Sequence, residues 1–279
     1  MCPKLFDTHC HLNFKRLLPK FDHILSQARK AKVHWLLIPG IDLATSHTAI
    51  QLAQKKTNIW AAVGLHPHYM IDLMHKTQTE QTQIWQSLTQ LAHQPSVKAI
   101  GEIGLDRHLY YKVKHEHHQL SDQFWQTQVE WFNRQLQLAT QLDLPVIIHN
   151  RSASSQLLSL LQTQTSLPNK LIFHCCEPNI QLLQFVLIQP DRYIGVDGDV
   201  TYHLHKQQFI AQVPLERLLL ETDSPYLLPE PLRSAKQYPN HPANLPLIAQ
   251  AVAEIKHLSY QQVVSQTSQN AQQVFGLDN

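Results

Sequence analysis

Residues 144–149 read Leu-Pro-Val-Ile-Ile-His. An apolar run without polar alternation is a strand buried on both faces, and this one closes on an imidazole. Seven other short apolar runs share its character, at residues 4–6, 33–38, 60–65, 97–103, 170–173, 192–196 and 218–220. Segments with helical spacing separate them, among them residues 21–31, 46–54, 81–92, 124–141, 155–162 and 242–255. Ser121-Asp122 stands where a helix cap belongs, just before an apolar face at Phe124, Val129 and Phe132. Buried strands alternating with amphipathic helices imply a parallel sheet covered on both sides. Eight such units in about 250 residues predict a (β/α)8 TIM barrel, a single domain over residues 1–279. A doubly wound sheet is the alternative.

The polar residues gather where the strands end. The first run leads into Asp7-Thr8-His9-Cys10-His11, the third into His66-Pro67-His68, and the fourth into Glu102-Ile103-Gly104-Leu105-Asp106. The fifth ends in His149, the sixth in His174, the eighth in Glu221-Thr222-Asp223. In a barrel the carboxyl ends of all strands meet at one face, so these residues converge. Period two along a strand puts His9 and His11 on one side and Cys10, a small packing residue, on the other. Three strand-end imidazole positions with a Glu and an Asp point to a two-metal site. One carboxylate can bridge two ions about 4 Å apart, and Glu102 is placed to be that bridge.

Composition bounds the rest. The chain has 279 residues and 19 His, with 23 Lys and Arg against 21 Asp and Glu, a net charge of +2. That balance excludes a bulk polycation, so nucleic acid would need a local basic patch. With so many histidines, a His-x-His pair arises by chance roughly once. Of the four pairs present, 115/117 and 203/205 lie in polar surroundings and read as background. Four cysteines without a C-x-x-C pair suggest reduced thiols and a cytoplasmic protein. No apolar run approaches the ~18 residues of a membrane span, and no signal peptide is expected.

The stretches FDTHCHL, GLHPH, GEIGLD, LPVIIHNR, FHC and LLLETDSPYLLP, with the tail QNAQQVFGL, together resemble the TatD family of metal-dependent hydrolases. They occur in family order over nearly the whole chain. The resemblance implies a TIM barrel and a divalent-metal deoxyribonuclease of 3′-5′ exonuclease type, acting as a monomer on single-stranded or nicked DNA. It implies two divalent ions (Zn²⁺, Mg²⁺ or Mn²⁺), one on His9, His11, Glu102 and Asp223 and the other on Glu102, His149 and His174. Asp223 would help take the proton of the attacking water, and Glu102 and Asp223 would be the catalytic carboxylates. His66, Arg151 and Asn240 correspond to substrate-facing positions.

The chain departs from the family around the substrate. His174 is followed by Cys175-Cys176-Glu177-Pro178 instead of C-F-S-G, and Arg151 by Ser152-Ala153 instead of D-A. Glu177 would repel a phosphodiester unless paired, and Arg107 with Lys112 and Lys114 of the inserted stretch 108–121 are the candidates to offset it. Tyr110, Tyr111 and Tyr226 are candidates to stack a terminal base. Two other functions remain open: hydrolysis of a carbonyl substrate, such as an aminoacyl-tRNA ester, an amide or a lactone, at the same site, and a non-catalytic metal-binding scaffold.

Overall fold

The computed structural model describes residues 4–111 and 121–277. Eight parallel strands follow one another around a single sheet in sequence order. They are β1 (Leu5–Asp7), β2 (Val33–Pro39), β3 (Ile59–Val63), β4 (Val97–Asp106), β5 (Val146–Arg151), β6 (Leu171–Phe173), β7 (Arg192–Val196) and β8 (Leu218–Leu220). Backbone bonds beyond the strands close the ring: Thr8 N to Leu220 O at 3.0 Å, Asp223 N to His9 O at 2.9 Å and His11 N to Ser224 O at 2.8 Å. The architecture is the TIM barrel that the alternation predicts.

Ten helices are described: α1 (Phe21–Lys30), α2 (Leu43–Gln54), α3 (Met70–Leu73), α4 (Gln78–Ala92), α5 (Asp122–Leu142), α6 (Ser154–Thr163), α7 (Ile180–Leu187), α8 (Leu204–Gln212), α9 (Leu245–Lys256) and α10 (Tyr260–Phe275). Local chemistry starts several of them. Thr77 with Glu80, and Ser259 with Gln262, form capping boxes that satisfy otherwise orphaned N–H groups. Ser121 caps α5 by accepting from Phe124 N at 3.1 Å.

The barrel interior explains where the functional groups stand. Phe6, Leu37, Ala62, Ala99, Ile147, Ile172, Tyr193 and Leu219, one from each strand, form an apolar layer with Ala271, Val274 and Phe275 of α10. Two residues further along, the same face carries His149, His174 and Glu221, and four beyond Tyr193 it carries Asp197, as the strand period requires. Strands β1 and β4 break that period. The chain bends at Thr8, and the β4–β5 register shifts between Ile100 and Ile103. Such irregularities re-aim side chains, and these bring His9, His11 and Glu102 into the group. Each large apolar side chain in the layer contributes ~1.5–3 kcal/mol, which together offset the cost of the buried charges above it. No described helix is long and apolar enough to cross a membrane.

Candidate metal centre

The two oxygens of Glu102 divide the cluster. Oε2 faces His9 Nε2 at 3.4 Å and His11 Nε2 at 3.5 Å. Oε1 faces His149 Nδ1 at 2.8 Å, His66 Nε2 at 3.4 Å and His174 Nε2 at 3.5 Å. Asp223 Oδ1 lies 3.5 Å from His11, 3.8 Å from His9 and 3.9 Å from His174. Asp223 takes the left-handed backbone conformation, φ 48°, which Asp tolerates better than most residues. All six residues expected as ligands therefore converge.

The donor set suits a cation. His11 Nδ1 lies 3.3 Å from Pro39 O, which fixes that nitrogen as the N–H and leaves Nε2 a lone pair. That lone pair meets His9 Nε2 at 3.1 Å and two carboxylate oxygens. Nitrogen and carboxylate oxygen atoms packed this closely in a buried space are a ligand set that a cation would satisfy. Donors around an ion at ~2.1 Å in a tetrahedron stand about 3.4 Å apart, and the separations here, 3.1 to 3.8 Å, match. His9, His11 and Glu102 form one potential ligand group, and His66, Glu102 and His149 another.

A second ring of carboxylates holds the imidazoles. Asp106 Oδ2 lies 3.0 Å from His149 Nε2 and 3.0 Å from His68 Nε2, and accepts from Tyr110 OH at 2.8 Å. Glu221 Oε1 lies 3.2 Å from His174 Nδ1 and accepts from Cys175 N at 2.6 Å. Outer partners of this kind set which nitrogen a ligand presents: His149 turns Nδ1 to Glu102, His174 turns Nε2. Gly195 leaves the space that Glu221 needs, since a Cβ there would lie 2.4 Å from Oε1. Asp106 and Glu221 stand in the strand-end motifs, yet their part in the site depends on partners 43 and 47 residues away.

Charge follows this arrangement. Burial opposes protonation of His149 and His174, but hydrogen bonds and charges from Asp106 and Glu102, and from Glu221 and Glu102, carry them up to about 9 and about 10. The imidazoles of His66, His174 and His149 hold Glu102 well below the usual carboxylate range despite its burial. His66 moves the other way: burial and the charge of His149 push it down to about 4. Its Nδ1 accepts from His68 N at 3.1 Å, so Nε2 is the N–H of a neutral ring.

A cavity of about 770 Å³ opens over the cluster, lined by His66, Arg151, Tyr110, Tyr226 and Glu177 among others. Arg151 donates to Tyr110 OH at 3.2 Å. Asn240 is the third residue expected to face substrate. It is fully buried and outside the cavity lining. Its amide donates to Thr222 O at 2.9 Å and accepts from Asn244 Nδ2 and His241 N at 2.9 Å each, so it braces the loop that carries Asp223. Tyr111 is exposed and also outside the lining, and Arg107 packs over the Trp125 ring at 4.8 Å. Neither reaches Glu177, whose partner is the Ser152 backbone N at 3.0 Å. Lys112, Lys114 and the 115/117 histidine pair lie outside the described residues. His203 and His205 are exposed, as background histidines should be.

A family model described as TatD related DNase matches residues 6–276. The chain is 30% identical over 276 residues to the uncharacterized metal-dependent hydrolase YabD of Bacillus subtilis, covering 98% of this chain and 100% of that protein. It is 32% identical over 279 residues to the 3′-5′ ssDNA/RNA exonuclease TatD of Klebsiella pneumoniae, covering 98% of each. The crystal structure of YJJV, a TatD homolog from Escherichia coli, superposes with a TM-score of 0.84 at 27% identity over the whole of both chains.

Proposed function

The chain belongs to the TatD family of metal-dependent hydrolases, and from that premise we propose that it removes nucleotides from the 3′ end of single-stranded nucleic acid. Two divalent ions (Zn²⁺, Mn²⁺ or Mg²⁺) would be held by His9, His11, Glu102 and Asp223 on one side and Glu102, His149 and His174 on the other. The observation that carries this reading is the division of Glu102, with each oxygen facing its own set of imidazoles. Relatives named as 3′-5′ ssDNA/RNA exonucleases, 30% or more identical over nearly the full chain, support the substrate class.

When bound at this cluster, divalent ions would supply a water of lowered pKa and neutralise charge that gathers on phosphoryl oxygens. The chain's own groups do the rest. Asp223, the most accessible of the ligand carboxylates at 13% side-chain exposure, accepts the proton of the water and returns it to the leaving oxygen. His66, neutral and with its Nε2–H toward the cluster, donates to a non-bridging phosphoryl oxygen. Arg151 holds the next phosphate, and the rings of Tyr110 and Tyr226 give the bases surfaces to stack on. A cytoplasmic setting suits the unpaired Cys10, Cys175 and Cys176.

The test is a substrate panel on enzyme loaded with each ion in turn: single-stranded DNA and RNA, a p-nitrophenyl phosphodiester, and aminoacyl-tRNA. Shortening of single strands from the 3′ end is expected. Turnover confined to the carbonyl ester would overturn the nuclease reading.

A further inference from the structure

This inference rests on the nuclease reading of the cavity. Ser152 follows Arg151 directly and leads into α6, whose first turn has no side-chain cap. A backbone N–H beside a guanidinium at a helix start is a natural place for an oxyanion. Here the chain supplies its own: Glu177 Oε2 lies 3.0 Å from Ser152 N. Asp197 and Asp199 line the same cavity, and the cation that pairs them, Lys206, is buried, bonded to Asp197 and 2.7 Å from Asp199. Among the described lining residues Arg151 is the only Lys or Arg, and its guanidinium turns to Tyr110, 5.3 Å from the ring centroid.

We propose that Glu177 determines specificity for the strand end: it holds the place of an anion beside the cluster, so the cavity accepts a 3′ end with a free hydroxyl and rejects one that carries a phosphate. A terminal phosphate would have to displace the Glu177 carboxylate from Ser152 N and lie beside it, a like-charge contact that costs binding. A terminal hydroxyl donates to the same carboxylate. The rest of the strand, with its phosphates, leaves over Arg151 and Tyr110.

The experiment compares matched single-stranded oligonucleotides with 3′-hydroxyl and 3′-phosphate ends on the full-length, metal-loaded enzyme. The wild type should prefer the hydroxyl end on the order of tenfold or more in kcat/KM. Glu177→Gln, nearly isosteric, and Glu177→Ser should each narrow that preference by improving KM for the phosphate end. Circular dichroism checks that both variants fold. Equal rates on the two ends in the wild type, or a preference unchanged in both variants, overturns this proposal alone. No cleavage of either oligonucleotide overturns the nuclease reading and this proposal with it.

Discussion

His149 Nδ1 stands 2.8 Å from Glu102 Oε1, and its other nitrogen stands 3.0 Å from Asp106 Oδ2. One imidazole thus lies between an inner carboxylate, which it shares with four other histidines, and an outer one that sets its orientation. Removing the inner charge without changing shape should empty the site. Glu102→Gln is expected to lose more than about a hundredfold in hydrolysis, beyond the typical effect of an outer-shell change, while its far-ultraviolet circular dichroism stays that of the wild type. A Gln variant with full metal-dependent turnover would refute the bridging assignment.

Metal loading should release protons. In the metal-free protein His149 and His174 titrate near 9 and 10, raised against burial by the carboxylates around them, so both are protonated at pH 7. A ligand nitrogen must be a lone pair, so the ion held by these two histidines displaces protons and binds more tightly as pH rises toward 9. His66, pushed down to about 4, is already neutral and releases none. Calorimetric titration in buffers of different ionisation enthalpy measures the release, and an affinity flat from pH 6.5 to 8.5 would contradict it.

The same shifts set the stability of the metal-free form. A histidine with a folded pKa above its unfolded value contributes stability that is complete below the unfolded value of about 6.5 and is lost as pH rises through the folded one. Asp7, raised to about 7 by burial, acts in the same direction. The melting temperature of chelator-treated protein should therefore fall from pH 6 to pH 10. A rise over that range would show that the imidazoles are not held by these carboxylates.

Asn240→Ala separates a bracing side chain from one that meets substrate. The change strips partners from Thr222 O, His241 N and Asn244 in a fully buried setting, and each unsatisfied group costs about 1–3 kcal/mol. Urea unfolding should show a loss of roughly 2–4 kcal/mol. A variant of unchanged stability with a raised KM would instead return Asn240 to the substrate.

Lys206→Met leaves Asp197 and Asp199 facing each other without the buried ammonium that pairs them. Breaking a buried ion pair in this way costs about 3–5 kcal/mol. The urea midpoint reports it, and a midpoint equal to that of the wild type would mean that one carboxylate is already protonated, as the raised value of Asp199, about 8 from burial and the charge of Asp197, allows.

Much of the molecule is legible in the order of its residues. The eight apolar runs are legible because a parallel strand buried on both faces must be apolar throughout, and His149 and His174 stand out because they end such runs. Asp106 and Glu221 were visible only as strand-end carboxylates, since nothing local distinguishes a side chain that orients a ligand from one that is a ligand. The hydrogen bonds of Asn240 are hidden for the same reason: its motif position says which loop it occupies, not which way its amide turns.

The sequence by itself therefore determined the barrel and the group of residues at its carboxyl-terminal mouth, through hydrophobic period and strand ends, which are local properties of a chain. Only the tertiary structure decided how that group divides. The bend at Thr8 and the register shift in β4 aim His9, His11 and Glu102 inward, and contacts between residues far apart in sequence choose the nitrogen each imidazole presents. They also turn Glu177 onto Ser152 N and Lys206 beneath its two aspartates, because side-chain direction and charge pairing depend on neighbours that only folding supplies.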